Sequence, residues 1–370
     1  MSKAFFRLGN AKKRRLNPVD PVGPVDPIDP VDPVDPVIPG VQKKWFPGHY
    51  LIANWYPSTA LSANARSLAT NNQYIRGYKS HILWNQLETS RDVYNFSVPI
   101  SQLNVAQSDG KKLLFHIQDK RFGTQENPFL PNYMLTAEFD GGFYAKYEPS
   151  QNKYNTYGRT WLRAYQLRWQ KLMRELGKAI DGHPALAGII FTETSGTATG
   201  TGQPADFTIE AHIDHIKGSH TNVAIGFPTT PIFQYVNWGF TADQRQDIIN
   251  HIVKTCKHGI GDPDLINSQP QFADGRDRYF TESRFGQFFT TAGNVKGIAP
   301  FCVENQEGYY RNSAKILIDY AVANGVSFVP WSIKYKSASN SYTWDINDAL
   351  REITLQKGRV NTTPPSNITG

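Results

Sequence analysis

At 370 residues with 39% apolar content the chain can build one large domain or two small ones, and no apolar stretch is long enough to span a membrane. Of the formal charge of +7, about +3 lies in the segment up to Lys44, where eight Lys/Arg face five Asp. The mildly basic remainder shows no basic helix, zinc pattern or RNA-binding signature, which argues against a nucleic-acid partner.

Residues 1–16 form a basic head with Lys3, Arg7 and the run Lys12-Lys13-Arg14-Arg15 but no apolar core, so no secretory signal is expected. Within 17–40, Pro recurs every third residue from Pro18 to Pro39 in repeats of the type Pro-Val-Asp. Polyproline II has three residues per turn, so this segment is expected to be a stiff spacer of about 70 Å. The domain proper is expected over 45–357, with 358–370 a flexible tail.

From Trp45 onward, strand and helix alternate. Strands are expected at Leu51–Tyr56, Tyr78–Leu83, Lys112–Ile117, Ala187–Thr192, Val223–Phe227, Leu265–Ser268, Gly297–Val303 and Val326–Trp331. Helices are expected near Leu61–Thr70, at Val98–Gln107, Thr160–Ile180, Ala205–Lys217 and Ala242–His258, within Ser283–Thr291, and at Asn312–Asn324 and Ile346–Leu355. Eight such repeats predict a closed (β/α)8 barrel, a TIM barrel of the α/β class. No glycine-rich phosphate loop follows the first strand, which weighs against a nucleotide cofactor.

Two of these strands run directly into a glutamate: Gly188-Ile189-Ile190-Phe191-Thr192-Glu193 and Ile298-Ala299-Pro300-Phe301-Cys302-Val303-Glu304. Active-site residues of such barrels collect at the carboxyl ends of the strands, and two facing carboxyl groups are the machinery of glycoside hydrolysis. Glu307 is a rival to Glu304, which is preferred because it abuts the strand. Asp119 and Glu88 are the alternative acids.

On these residues the chain resembles the clan of retaining glycoside hydrolases with (β/α)8 barrels, over most of 45–357. Leu83-Trp84-Asn85-Gln86-Leu87-Glu88, Tyr94-Asn95-Phe96, Asp181-Gly182-His183-Pro184-Ala185-Leu186-Ala187-Gly188 and Trp331 fit the same pattern. The resemblance implies Glu193 as acid/base and Glu304 as nucleophile. Many clan members carry Asn before the acid/base, whereas here Thr192 stands there.

Other strand ends offer candidate substrate contacts: Asn54, Trp55, Trp84, Glu88, His116, Gln118, Trp238 and Trp331. The aromatic insertion Arg121–Tyr157 is expected to wall the cleft. His116 and His183 lack partners at metal-ligand spacing, and His212 and His215 are expected on a solvated helix face, so neither a metal nor a cofactor is expected. Cys256 and Cys302 are expected to be reduced core thiols.

The sequence therefore predicts a retaining glycosidase acting on an oligo- or polysaccharide, with a non-catalytic carbohydrate-binding appendage as the alternative. The basic head, the rod and the lack of a signal suggest, by analogy of organisation, attachment through residues 1–40 to a phage virion or another surface.

Overall fold

The structure, a computed structural model, describes residues 42–55, 58–148, 152–194, 197, 202–237, 239–263, 295–305, 313–337 and 343–369. Eight parallel strands close into a barrel: β1 Gly48–Ile52, β2 Ile75–Leu83, β3 Lys112–Gln118, β4 Leu186–Phe191, β5 Ile232–Tyr235, β6 Gly259–Asp262, β7 Phe301–Val303 and β8 Phe328–Trp331, which pairs back onto β1. Strands covered on both faces read as unbroken apolar runs, and β4 is buried along its whole length.

Strand alternation sorts the side chains into two cores. Tyr50, Leu114, Ile190, Phe233, Tyr235, Cys302 and Phe328 fill the lumen, whereas Leu51, Phe115, Phe191, Val303 and Trp331 belong to the larger core between barrel and helices. Room for the lumen rings comes from β6. A Cβ on Gly261 would lie 2.9 Å from the Tyr235 ring and 2.0 Å from the Cys302 carbonyl oxygen.

Among the described residues, seven helices of eight residues or more coat the barrel: α1 Ala63–Thr70, α2 Ser97–Ser108, α3 Arg163–Ile180, α4 Ile209–Gly226, α5 Ala242–Asn250, α6 Ala314–Ala323 and α7 Ile346–Leu355. Side chains of Ser62, Thr208, Thr241, Ser313 and Asp345 cap five of them by accepting first-turn N–H groups. α3 buries Tyr165, Trp169, Leu172 and Leu176 and crosses α4 closely, because Gly177 lets the Gly226 carbonyl approach. No helix among the described residues is long and apolar enough to cross a membrane.

Three expectations need correction. Val223–Phe227 is the last turn and cap of α4, and the fifth strand comes later, at Ile232–Tyr235. A short apolar run fits a buried helix end as well as a strand, and Val223 sits on the core face of α4. The sixth strand lies before Leu265–Ser268, a segment that falls outside the described residues, as does Ser283–Thr291. Finally, the tail beyond 358 is packed: Ile368 is buried, Asn367 Nδ2 donates to the Val253 carbonyl at 2.8 Å, and Trp45 Nε1 donates to the Thr362 carbonyl at 2.9 Å.

The insertion after β3 forms an antiparallel sheet of Lys120–Phe122, Lys153–Gly158 and Phe143–Glu148, with Lys153–Gly158 central. Its Tyr144 and Tyr157 pack on Trp161 in a small core of their own, and the Tyr144 hydroxyl donates to the Thr197 carbonyl at 3.2 Å. The sheet is thereby tied to Thr197, beyond the end of β4. Both cysteines are buried free thiols.

Candidate active site

Glu304 follows β7 directly, and its backbone N–H donates to the Asp262 carbonyl at 3.0 Å. Its side chain is fully buried and forms an ion pair through Oε2 with the equally buried Lys79 of β2. The Tyr235 hydroxyl donates to the same oxygen at 2.9 Å. A carboxylate out of water needs such partners to offset its desolvation. Oε1 is buried and, among the described residues, has no hydrogen-bond partner. One oxygen is held and the other is left unbonded among the described residues.

Glu193 stands two residues past β4 and is only half-buried. Asn237 Nδ2 donates to its Oε2 at 2.5 Å, and Lys120 Nζ donates to its backbone carbonyl. Thr194 N–H in turn donates to the Tyr235 carbonyl at 3.0 Å, tying this strand end to β5. Burial pulls the Lys120 ammonium below its ordinary range, against the opposing pull of Asp119 and Glu193.

The lumen between these groups is lined by rings. Trp55, 42% exposed, stacks on His81 at 4.8 Å; His81 lies 4.9 Å from His116, which meets Tyr235 edge-on at 5.5 Å. Burial first, and the Lys79 ammonium second, push both imidazoles well below the usual histidine range, so both are neutral at pH 7. His116 Nδ1 and Nε2, Gln118 Oε1, both Asn305 side-chain amide atoms and Ser332 Oγ are buried with no hydrogen-bond partner among the described residues. Buried polar atoms are nearly always satisfied, so these mark unmet hydrogen-bonding capacity at the carboxyl ends of β3, β7 and β8.

The remaining candidates fall elsewhere. Asn54 braces β1 to β2, accepting from the His81 N–H at 2.7 Å. Trp84 and Glu88 are fully buried beneath the mouth, where Trp84 Nε1 donates to Glu88 at 3.0 Å and Arg168 neutralises the carboxylate. Trp331 faces away from the lumen, packing edge-on against Trp344 and donating to His49 Nδ1 at 3.0 Å. Asp119 accepts from Thr192 at 2.6 Å and Tyr165 at 3.0 Å. Trp238 and Glu307 lie outside the described residues.

His212 and His215 are not solvated: both are buried, with Thr160 Oγ1 2.8 Å from His212 Nδ1, and they line a void of about 30 Å³ behind Glu193. Among the described residues, no three His, Cys, Asp or Glu side chains converge as a metal site. A hollow of about 660 Å³ opens beside the ends of β2 and β3, and neither glutamate lines it.

Lys79, Tyr235 and Asn237 escaped the sequence reading. A lysine at a central position of the buried strand β2 was the available signal for the first; the other two were hidden by the misplaced fifth strand.

A closed parallel barrel with carboxylates after its fourth and seventh strands places the chain in the (β/α)8 class, with the fold of solved glycoside hydrolases. It resembles the catalytic domain of a β-amylase from Paenibacillus polymyxa (TM-score 0.59, 10% identity, 84% of this chain and 98% of that one). It also resembles endo-glycoceramidase II from Rhodococcus sp. in complex with a cellobiose-like imidazole (TM-score 0.54, 13% identity, 82% and 78%). No protein-family model and no curated protein matches the sequence.

Proposed function

We propose that the protein is a retaining glycoside hydrolase acting on an oligo- or polysaccharide, with Glu304 as nucleophile and Glu193 as acid/base. The observation that carries this reading is the asymmetry at Glu304: Lys79 and Tyr235 share Oε2, and buried Oε1 has no hydrogen-bond partner among the described residues. In the first step Oε1 bonds to the anomeric carbon as the glycosidic C–O bond breaks, and Glu193 gives its proton to the departing oxygen. In the second, Glu193 takes a proton from water, whose oxygen displaces Glu304 from the same carbon. The half-buried site of Glu193 suits an acid that must exchange protons with solvent, whereas buried Glu304 needs its charge partner.

Asn237 would orient the Glu193 carboxyl group, and neutral His116 could both donate to and accept from sugar hydroxyls. Trp55 supplies an exposed ring for stacking. A non-catalytic sugar-binding appendage is the competing reading: glycan cleavage by the wild type that Glu304→Gln abolishes while still binding glycan favours the enzyme, and a wild type that binds glycan without cleaving it favours the appendage. The period-three proline segment and basic head further support a tether through residues 1–40 to a virion or another surface.

A further inference from the structure

We infer that the hollow beside β2 and β3 is a subsite for a second, uncharged sugar unit of the same glycan chain, so that the substrate is held along the barrel mouth and not by one terminal sugar alone. This rests on the glycosidase reading for its substrate but on separate residues for its geometry. At about 660 Å³ the hollow falls within the range of small-molecule sites. Its lining combines an apolar ring with polar groups: Leu83, Asn85, Gln86, Arg121, Phe122 and Thr124.

Phe122 is 40% exposed, and its ring meets buried Tyr157 edge-on at 6.4 Å, so a platform is anchored from one side and open on the other. The Arg121 guanidinium lies over the Phe129 ring at 5.2 Å and is ion-paired with Glu126 at 2.5 Å. Its charge is therefore matched within the protein, which favours a neutral sugar over a uronate or sulfate. The hollow and Glu304 are also linked by one face of a single strand. Lys79, His81 and Leu83 are successive same-face positions of β2: Lys79 holds Glu304, His81 stacks on Trp55, and Leu83 lines the hollow.

The test uses the full chain. A glycan array probed with Glu304→Gln identifies the glycan bound most tightly, and fragments of it from two to six units are then used as substrates, beside the aryl glycoside of its single sugar. Phe122→Ala should lower kcat/KM about tenfold on the longer fragments and leave the aryl glycoside unchanged. Asn85→Ala should show the same dependence on length. Equal loss on long and short substrates, or no loss on the long ones, overturns the subsite.

The binding arm separates this inference from the catalytic one. If the wild type cleaves nothing but glycan retention in affinity gels still falls with Phe122→Ala in the Glu304→Gln background, the subsite stands and the catalytic reading fails. If no arrayed glycan is bound, or retention is unchanged by Phe122→Ala, the subsite is overturned.

Discussion

Tyr235 and Asn237, two residues apart at the end of β5, each hold a different glutamate: the Tyr235 hydroxyl donates to Glu304 at 2.9 Å and the Asn237 amide to Glu193 at 2.5 Å. A single strand end thus sets the relative position of two carboxyl groups that come from β4 and β7. Neither prop can shift without disturbing one partner of the pair.

The two glutamates have different tasks and should fail differently. Glu304→Gln preserves shape but removes the attacking group, so turnover should fall by several orders of magnitude while glycan affinity persists. Glu193→Ala should keep the first step on substrates with good leaving groups, and added azide should restore turnover. Proton NMR of the first-formed product should show retained anomeric configuration. Glu307→Gln is the control, and its loss of turnover with Glu304→Gln intact would move the nucleophile.

The buried pair of Lys79 and Glu304 should be strongly coupled. Lys79→Met leaves an unpaired buried carboxylate and should cost about 3–5 kcal/mol in denaturant unfolding. Adding Glu304→Gln should recover much of that loss. A double variant no more stable than Lys79→Met would show that the two side chains do not depend on each other.

Asn237→Ala should act on the acid/base alone. Loss of its hydrogen bond to Glu193 is expected to slow cleavage of substrates with poor leaving groups about tenfold or more, with activated aryl glycosides little changed, and to displace the corresponding limb of the pH–rate profile. Equal slowing of both substrate types with an unaltered profile would point to a general loss of structure.

Stability should fall in acid because the folded protein resists protonating its histidines. Burial lowers both His215 and His220 to about 3 in the fold, against an ordinary value near 6.5. Between those values the unfolded chain binds more protons, so stability declines as pH drops from about 6.5 towards 3, by up to about 1.4 kcal/mol per pH unit per group. Chemical denaturation from pH 7 to 4 should show this slope, and His215→Gln should make it shallower by up to one proton; an unchanged slope contradicts the assignment.

Deleting residues 1–40 should leave melting temperature and activity on a soluble glycan nearly unchanged, because a polyproline segment adds no core burial. Attachment to a particle or surface is what should be lost. A large fall in melting temperature would instead mean that the segment packs on the barrel.

The order of apolar runs and helical stripes determined the barrel class, because burial on both faces writes strands such as β4 directly into composition, and a glutamate closing such a run is visible as chemistry. Tertiary structure alone decided which residues serve the two glutamates. Lys79 and Glu304 are far apart in sequence, and their contact exists only because closure of the barrel turns alternate side chains of β2 and β7 into one lumen. The same alternation turns Trp331 outward although it ends a strand, and sequence proximity hid Tyr235 and Asn237 because an apolar helix end reads like a strand until α4 is seen packed on the barrel.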